Sequence, residues 1–325
     1  MKIVLTGSLG NISKPLAKDL LRKGHSVTVI SSKTERQKDI EALGATAAIG
    51  SIRDLDFLTK TFTAADIVYL MEPTEPERFF DKTFDVYKNV TDLVTGYKKA
   101  VERSSVKRIV HLSSIGAHTD QGVGLLKFHF MAESILKTLP ADVSIKFMRP
   151  VGFYGNLLQT IEVIKSVSKG FIGAIMALQY YGIAGLLSGK RGVMLSNYGG
   201  DVINLLVSPN DIATVIAEEM AKPFEGHSIR YIASEEPTCN EVARIMGEAI
   251  GKPYLKWGSI SDKMLRNTML KRGANKMLVD GVVEMGVSGR TGKLYEDYYK
   301  NRPVLGKTKL REYAPIFAEA YKKSQ

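Results

Sequence analysis

The sequence predicts an α/β protein with a doubly wound parallel sheet and a smaller, mainly helical C-terminal lobe. Apolar segments typical of strands alternate with amphipathic helices through the first half of the chain, and short turns join them. These strand segments are apolar throughout, as a sheet covered on both faces requires. After Pro150 the pattern changes, and strands become sparse among Gly, Tyr and Met residues.

The predicted elements follow in order along the chain. A first strand precedes residue 6, and further strands cover 27–30, 46–49, 67–71, 108–112, 144–148, 202–207 and 229–232. Helices are expected over 15–22, 35–43, 54–62, 78–102, 125–136 and 211–221, and a capping box at Thr238 and Glu241 opens another that ends at Ile250. This order predicts a doubly wound domain of residues 1–155, to which 201–222 returns, and a lobe of 156–200 and 223–325.

Composition narrows the class of protein. The chain has 325 residues, of which 44% are hydrophobic, so it can bury a substantial core. Its formal charge of +11 comes from lysines and arginines scattered singly along helices, so we expect no nucleic-acid partner. The chain has a single cysteine, Cys239, so an internal disulfide is excluded. We interpret Cys239 as a small packing side chain near a helix start. A single cysteine fits a reducing compartment, and the first strand begins at the N-terminus without a signal peptide, so we expect a cytoplasmic location. We expect no metal site, because no His/Cys cluster has metal-ligand spacing.

A glycine turn follows the first strand. Gly7 permits a sharp turn, and Gly10 lets backbone N–H groups approach a bound group at the start of the next helix. The positive end of that helix faces the same point, so the arrangement is typical of a site for a dinucleotide pyrophosphate, although an ordinary βα turn is the alternative. Ser13 stands where the usual spacing has a third glycine; it is small enough to keep helix and strand close, and it can cap the helix. The predicted contacts are Gly7, Leu9, Gly10, Asn11 and Ile12.

The end of the second strand bears on the choice of dinucleotide. In NAD-selective folds an acidic residue there accepts the ribose hydroxyls, whereas this chain has Ser31, Ser32 and Lys33, with Arg36 one turn later. Hydroxyls and cations suit a 2′-phosphate. We therefore expect NADP(H), with NAD(H) as the alternative, because Lys33 and Arg36 also suit an exposed helix start.

Residues after the other strands complete the predicted cofactor site, because ligands of such sheets lie at the carboxyl ends of the strands. The adenine is expected after the third strand, the central riboses after the fourth, and the nicotinamide after the fifth and sixth. Glu72 is unusual there, since a carboxylate near phosphates must face solvent or bind a ribose hydroxyl. The residues so placed are Ser51, Ile52, Met71, Glu72, Pro73, Ser113, Pro150, Val151 and Gly152.

With these motifs the chain resembles the short-chain dehydrogenase/reductase superfamily, and more closely its atypical NmrA-like branch. The resemblance rests on the glycine turn, on 110–117 with its paired serines, on Glu133, on 148–157, on 211–213 and on the helix start at Thr238. It implies a Rossmann-like domain with a smaller C-terminal substrate lobe. Members of the family include NADPH-dependent quinone reductases and dinucleotide-sensing regulators that catalyse no reaction.

The acid–base pair of the epimerases in this superfamily is missing. The resemblance implies Tyr-x-x-x-Lys, in which the lysine lowers the tyrosine pKa and the tyrosine transfers a proton. Counting back from Glu133 places that pair at 125 and 129, where this chain has Leu125 and His129. Sugar-nucleotide epimerase, dehydratase and alcohol dehydrogenase chemistry is therefore disfavoured, unless Tyr154 substitutes.

Two functions remain open. The first is an NADPH-dependent oxidoreductase that transfers hydride to an apolar, quinone-like or other electron-poor acceptor, with Ser113, His129 and Tyr154 as candidate catalytic residues. Such a reduction needs little beyond correct placement of the nicotinamide. Three roles are open for His129: it orients the nicotinamide ribose, it donates a proton to the substrate, or it is a structural histidine. The second function is a non-catalytic NADP(H) sensor, which the missing pair equally motivates.

Residues 170–189 carry no charge. The stretch is just long enough to span a bilayer, but its glycines, Gln179 and paired tyrosines make it a poor spanning helix, so we expect no stable membrane insertion. We expect a helix and loop that line an apolar pocket or an oligomer interface, such as that of a homodimer. Contact with one face of a membrane is the alternative.

Overall fold

Seven parallel strands form the central sheet of the computed structural model, which describes residues 1–73 and 75–324. The strands of the chain are β1 (Lys2–Leu5), β2 (Ser26–Ser31), β3 (Thr46–Ile49), β4 (Ile67–Met71), β5 (Arg108–Leu112), β6 (Ser144–Pro150), β7 (Gly152–Phe153), β8 (Met194–Ser196), β9 (Leu206–Val207), β10 (His227–Ile232) and β11 (Trp257–Ser259). The sheet order is β10-β6-β5-β4-β1-β2-β3. Chain order reverses between β1 and β4, so a crevice for ligands opens at the carboxyl ends of these two strands.

Helices cover both faces of the sheet and form the lobe. They are α1 (Ser13–Arg22), α2 (Gln37–Glu41), α3 (Leu55–Phe62), α4 (Val86–Arg103), α5 (Lys127–Leu136), α6 (Thr160–Ser166), α7 (Gly170–Leu187), α8 (Pro209–Ala221), α9 (Cys239–Ala249), α10 (Asp262–Lys271), α11 (Lys276–Thr291), α12 (Glu296–Lys300) and α13 (Leu310–Lys323). The predicted doubly wound α/β fold is confirmed.

The sheet separates two apolar cores. Leu5 packs in the core beneath α1 and α8, whereas its neighbour Val4 packs in the core beneath α3, α4 and α5. Side chains alternate between faces along a strand, so a strand buried on both sides must be apolar at every position. Each fully buried aliphatic side chain, such as Leu16 or Leu20 of α1, contributes about 1.5–3 kcal/mol.

The predicted long helix over 78–102 is wrong in its first part. A short 3-10 helix covers Pro76–Phe80, and α4 begins only at Val86. Asp81 accepts hydrogen bonds from the backbone N–H and hydroxyl of Thr83, and Asp85 accepts from the N–H groups of Tyr87 and Lys88 as the cap of α4. Local aspartate bonds of this kind compete with a continuous helix and set its start.

The structure also corrects the lobe boundary at 222. The strand expected at 229–232 is β10, which pairs with β6 and forms the edge of the main sheet. Among the described residues, the sheet domain therefore extends to Ile232 instead of ending at 222. The strand expected over 202–207 shortens to β9, which pairs with β7, and Ile203 makes only an isolated bridge to Thr238.

The lobe has its own apolar core around Leu157, Trp257 and Phe317. The predicted capping box of α9 is present, with Thr238 and Glu241 bonded to each other's backbone N–H groups. Cys239 lies fully buried behind that cap, and burial raises the pKa of its thiol to about 12. Its surroundings are those of a core residue and not of a nucleophile.

Asn275 joins the lobe to the segment that follows β4. Its side-chain amide donates to the carbonyl oxygens of Asp81 (2.7 Å) and Phe84 (2.9 Å), and its backbone N–H donates to the carbonyl of Phe79. The same side chain caps α11 by accepting from the N–H of Met277 at 2.9 Å. One buried amide thus satisfies three backbone groups and fixes the lobe against the sheet domain.

We predict that Asn275→Ala lowers the free energy of unfolding by about 3 kcal/mol, because it removes one helix cap and leaves two carbonyl groups without donors. Ser261→Ala is the matched control, since Ser261 caps α10 through the N–H of Met264 and does nothing further, and it should lose about 1 kcal/mol. Urea unfolding measures both. Equal losses for the two variants would contradict the joining role of Asn275.

Candidate functional site

The glycine turn after β1 is built around a close contact between strand and helix. A Cβ atom at position 7 would lie 2.1 Å from the hydroxyl oxygen of Ser13, and one at position 10 would lie 3.2 Å from the carbonyl oxygen of Gly7. A side chain at position 7 would therefore displace Ser13, and one at position 10 would be tight against the backbone of the turn. Ser13 is buried and keeps α1 against β1 as predicted, but it does not cap the helix, because no side chain caps α1.

Three backbone donors point to an anionic ligand at this turn. The N–H groups of Leu9, Asn11 and Ile12 have no acceptor within residues 1–73 or 75–324, whereas Gly10 donates to Gly7. They stand at the N-terminus of a ten-residue helix, whose dipole favours negative charge. Unpaired donors together with the glycine cradle fit a dinucleotide pyrophosphate.

Ser8, which the sequence did not single out, links the turn to β2. Its φ of +48° lies in the left-handed region, and its hydroxyl donates to the hydroxyl oxygen of Ser31 at 3.1 Å. Ser31 also accepts from the N–H of Lys33 at 3.2 Å and is buried, so it positions the end of β2. A small polar residue directly after Gly7 was the available signal. Ser32 and Lys33 remain exposed beside the turn.

The two cations after β2 differ in availability. Arg36 forms an ion pair with Asp39 at 3.3 Å, whereas Lys33 faces no carboxylate in the described part of the chain. Of these two cations, Lys33 is thus the one without a paired carboxylate among the described residues, and its contact with a 2′-phosphate remains a prediction.

Thr6 and Tyr97 hold the end of β4 against the glycine turn. The Thr6 hydroxyl donates to the carbonyl of Tyr69 at 3.1 Å and accepts from the N–H of Met71 at 3.1 Å, while the Tyr97 hydroxyl donates to the carbonyl of Met71 at 2.9 Å. The Met71 side chain lies next to Gly7. Met71 thus borders the crevice, as predicted, and exposed Pro73 follows it.

Glu72 is turned into the protein. Its carboxylate is almost fully buried and bonds His111 Nε2 at 2.9 Å, so it does not face solvent, and its contact with a ribose remains a prediction. Burial acts to raise the pKa of Glu72, but the charge and hydrogen bond of His111 outweigh burial and lower it. The carboxylate is thereby bonded to a buried histidine instead of lying at the surface.

Ser113 belongs to a buried ion-pair network. Its hydroxyl donates to Glu133 at 2.7 Å, and the serine is 2% exposed. The hydroxyl proton of Ser113 is therefore bonded to a carboxylate, and a catalytic role for Ser113 remains a prediction. Glu133 also accepts two hydrogen bonds from Arg149, at 2.8 and 2.7 Å.

Arg149 connects five segments of the fold. Besides Glu133, its guanidinium contacts the hydroxyl of Tyr231 at 3.1 Å, the carboxylate of Asp297 at 3.1 Å and the carbonyl of Ala117 at 3.2 Å. Burial acts to raise the pKa of Glu133, but the hydrogen bonds and charge of Arg149 outweigh it and hold that pKa below its ordinary value. The network fixes the carboxyl ends of β5 and β6.

The remaining predicted contacts divide by exposure. Ser51 is exposed after β3, and half-buried Ile52 packs against the core beneath α3 to α5. Pro150 and Val151 are buried, with the Pro150 carbonyl bonded to Ile115 and the Val151 N–H bonded to Ile232, and their contact with the nicotinamide remains a prediction. Gly152 is half-buried beyond them.

Tyr154 lies in the apolar core of the lobe. It is fully buried, and its hydroxyl contacts Glu235 at 3.0 Å and the carbonyl of Thr308 at 2.9 Å. Burial and the carboxylate of Glu235 raise the pKa of Tyr154. A catalytic role for Tyr154 remains a prediction.

His129 is half-buried on α5 and stacks on Phe128, with ring centroids 4.0 Å apart. Its Nδ1 is buried without a hydrogen-bond partner among the described residues. Burial, opposed in part by the charge of Glu72, lowers the pKa of His129 to about 4. The ring is therefore neutral at physiological pH and is not a strong proton donor. Of the three predicted catalytic residues, it alone has exposed surface.

Comparison with known proteins agrees with this geometry. A family model described as NAD(P)H-binding matches residues 7–144. An uncharacterized protein of Schizosaccharomyces pombe is 35% identical over 272 residues, which cover 80% of this chain and 84% of that protein.

Solved structures share the fold along nearly the whole chain. An NADPH-dependent quinone oxidoreductase of Escherichia coli is similar with a TM-score of 0.71 at 18% identity, covering 97% of this chain and 99% of that chain. Triphenylmethane reductase of Citrobacter sp. has a TM-score of 0.70 at 16% identity, covering 98% and 100%. A nucleoside-diphosphate-sugar epimerase of Staphylococcus aureus has a TM-score of 0.70 at 14% identity, covering 97% and 100%.

We predict that Glu133→Gln lowers the free energy of unfolding by about 3–5 kcal/mol, because it leaves the buried guanidinium of Arg149 short of a counter-charge. Asp92→Asn, which removes one exposed helix pair with Lys88, should cost less than about 1 kcal/mol. The lowered pKa of Glu133 means that its contribution is present above pH 4.5 and is lost as the pH falls further. Denaturant unfolding at neutral and acid pH tests this, and losses of equal size in the two variants would contradict it.

The lowered pKa of His129 predicts a second pH dependence. The unfolded chain takes up this proton near pH 6.5 and the folded chain only near pH 4, so stability falls as the pH drops between these values. Between pH 7 and pH 5, wild type should lose about 1–2 kcal/mol more than His129→Gln. Urea unfolding at both pH values measures the difference. Parallel losses would show that His129 does not titrate as expected.

Proposed function

Because the chain belongs to the NAD(P)H-binding family of atypical short-chain dehydrogenase/reductases, we propose that it is an NADPH-dependent oxidoreductase that transfers hydride to a quinone-like or other electron-poor acceptor. The observation that carries the proposal is the glycine turn, with its three unpaired N–H groups, beside a β2 end that holds Lys33 and no carboxylate. The resemblance to this superfamily drawn from the sequence is confirmed.

The charges around the turn favour NADP(H) over NAD(H). Exposed Ser32 and Lys33 can donate hydrogen bonds to a 2′-phosphate, and charge-assisted bonds of this kind are about twice as strong as neutral ones. Glu72, the acidic residue that follows β4, is hydrogen-bonded to His111. It therefore adds little repulsion to the extra phosphate.

The chemistry proposed for the site is a two-electron reduction that needs no strong acid from the protein. The nicotinamide supplies a hydride when bound, and water can protonate the reduced acceptor, whose ring stabilises the negative charge. The protein orients the reactants and excludes water from them. The Ser113 hydroxyl is committed to Glu133, and neutral His129 can accept or donate only weakly. Two of the similar structures are of an NADPH-dependent quinone oxidoreductase and a triphenylmethane reductase.

A non-catalytic NADP(H) sensor of the NmrA type is the second candidate. It is favoured by the same commitment of hydroxyls, since neither Ser113 nor Tyr154 is free to act as an acid. A sensor would bind NADPH tightly and would not oxidise it. Sugar-nucleotide epimerase chemistry finds no support, because Leu125 replaces the acid–base tyrosine and Tyr154 lies in the lobe core.

The first test is calorimetric titration with NADPH, NADP⁺ and NADH, followed by stopped-flow mixing of the NADPH complex with benzoquinones, naphthoquinones and azo compounds. Oxidation of the bound cofactor above background supports the reductase. Tight binding without oxidation supports the sensor instead. Gly10→Val should abolish binding of every dinucleotide, because its side chain would fill the phosphate cradle; normal binding by this variant would remove the turn from the site.

We predict that Lys33→Glu weakens NADPH binding roughly tenfold to a hundredfold and NADH binding far less, because it exchanges attraction for repulsion at the 2′-phosphate. Lys60→Glu on α3 makes the same change of net charge away from the strand ends. Titration of each variant with both cofactors gives the ratio of affinities. If Lys33→Glu keeps the wild-type ratio, Lys33 does not contact the 2′-phosphate.

A further inference from the structure

Helix α7 presents an apolar surface that no described part of the chain covers. Phe171 is 80% exposed, Ile183 69% and Leu187 81%. Three further side chains of this helix are also exposed: Ile172, Ile175 and Leu178. The helix is long and apolar enough to cross a membrane by length and composition, and only 17% of it is buried. Exposed apolar area of this extent marks an interaction surface.

The helix is attached to the lobe by its small residues and its tyrosines. Gly173, Ala177 and Gly185 are the buried positions. The Tyr180 hydroxyl donates to the carbonyl of Ser259, and the Tyr181 hydroxyl donates to the carbonyl of Gly192 at 2.7 Å. A helix of a water-soluble surface places its large apolar side chains inward. This helix does the opposite.

Positive charges surround the apolar surface. Lys169 precedes α7, and Lys190 and Arg191 follow it. Lys252 and Lys256 bind backbone carbonyl oxygens of Arg191 (3.0 Å) and Tyr180 (3.2 Å), which holds their ammonium groups beside the helix. None of these five cations forms an ion pair within residues 1–73 and 75–324. We call the five cations the basic rim.

We propose that α7 lies flat in the surface of an anionic lipid bilayer, with Phe171, Ile183 and Leu187 at the level of the upper acyl chains and the basic rim at the headgroups. Apolar burial and attraction to anionic lipid combine in such helices. Spanning is disfavoured, because Gly182 has a φ of +68° that breaks the helix and Tyr181 is tied to the lobe. The contact does not depend on the reaction proposed above.

A second copy of the chain fits this surface less well. If two α7 helices paired antiparallel, Lys169 of each would meet Lys190 and Arg191 of the other, and parallel pairing would also oppose like charges. Anionic headgroups relieve this repulsion directly, so a bilayer is the occupant that the charges favour.

The experiment is co-sedimentation of the full chain with two kinds of vesicle, one of phosphatidylcholine alone and one with roughly one-third phosphatidylserine. We expect binding to the anionic vesicles that weakens in high salt. The double variant Phe171→Ser/Leu187→Ser should bind at least about tenfold more weakly, because it removes two large apolar side chains from the contact. Val304→Ser is the matched control, since Val304 is 86% exposed and lies outside α7, and it should bind as wild type does.

Charge is tested separately with Lys169→Glu/Lys190→Glu, which should weaken binding to anionic vesicles about tenfold or more, while Lys60→Glu/Lys99→Glu makes the same change of net charge on α3 and α4 with a smaller effect. Unchanged NADPH affinity and circular dichroism show that each variant is folded. The proposal is overturned if wild type binds neither vesicle, or if the α7 variant binds as wild type does. It is also overturned if light scattering finds a dimer that Phe171→Ser/Leu187→Ser dissociates.

Discussion

The buried pair of Arg149 with Glu133 is the interaction on which the site end of this fold depends. A charge that is 2% exposed must be neutralised where it lies, and Arg149 meets this requirement with partners from α5, β10, α12 and the loop after β5. Because Glu133 also accepts from Ser113, the end of β5 is set by the same pair. The Arg149 guanidinium therefore holds the edge of the sheet, α5 and α12 in contact with one another.

The same principle arranges charge along the crevice. Glu72 and Glu133 both follow or flank strands whose ends face the predicted phosphates and nicotinamide, and each is bonded to a buried side chain, His111 and Arg149 respectively. The unpaired donors, by contrast, are the amides of the glycine turn and the exposed Lys33. The strand ends consequently hold amide and lysine donors for an anionic ligand, while the two carboxylates are bonded to buried side chains.

The sequence predicted the bounds of those strands that depend on neighbouring residues alone. The strands Thr46–Ile49, Ile67–Met71 and Arg108–Leu112 match their predicted bounds, because each is a short, largely apolar run between turn residues. The roles of side chains at the site depended on distant partners. Ser113 is bound by a residue 20 positions away, and Tyr154 by Thr308, 154 positions away. Sequence spacing placed these residues near strand ends but did not reveal that their hydroxyls are committed.

Folding of the chain does not account for the exposed apolar side chains of α7. The three apolar cores of the sheet and lobe close without any large side chain of this helix. Each such side chain would contribute about 1.5–3 kcal/mol if it were buried, yet the fold leaves them in water and buries glycine and alanine instead. Stability of the isolated chain therefore does not explain their apolar character. The proposed contact with an anionic bilayer supplies an explanation from outside the chain, because such a surface both buries these side chains and binds the surrounding cations.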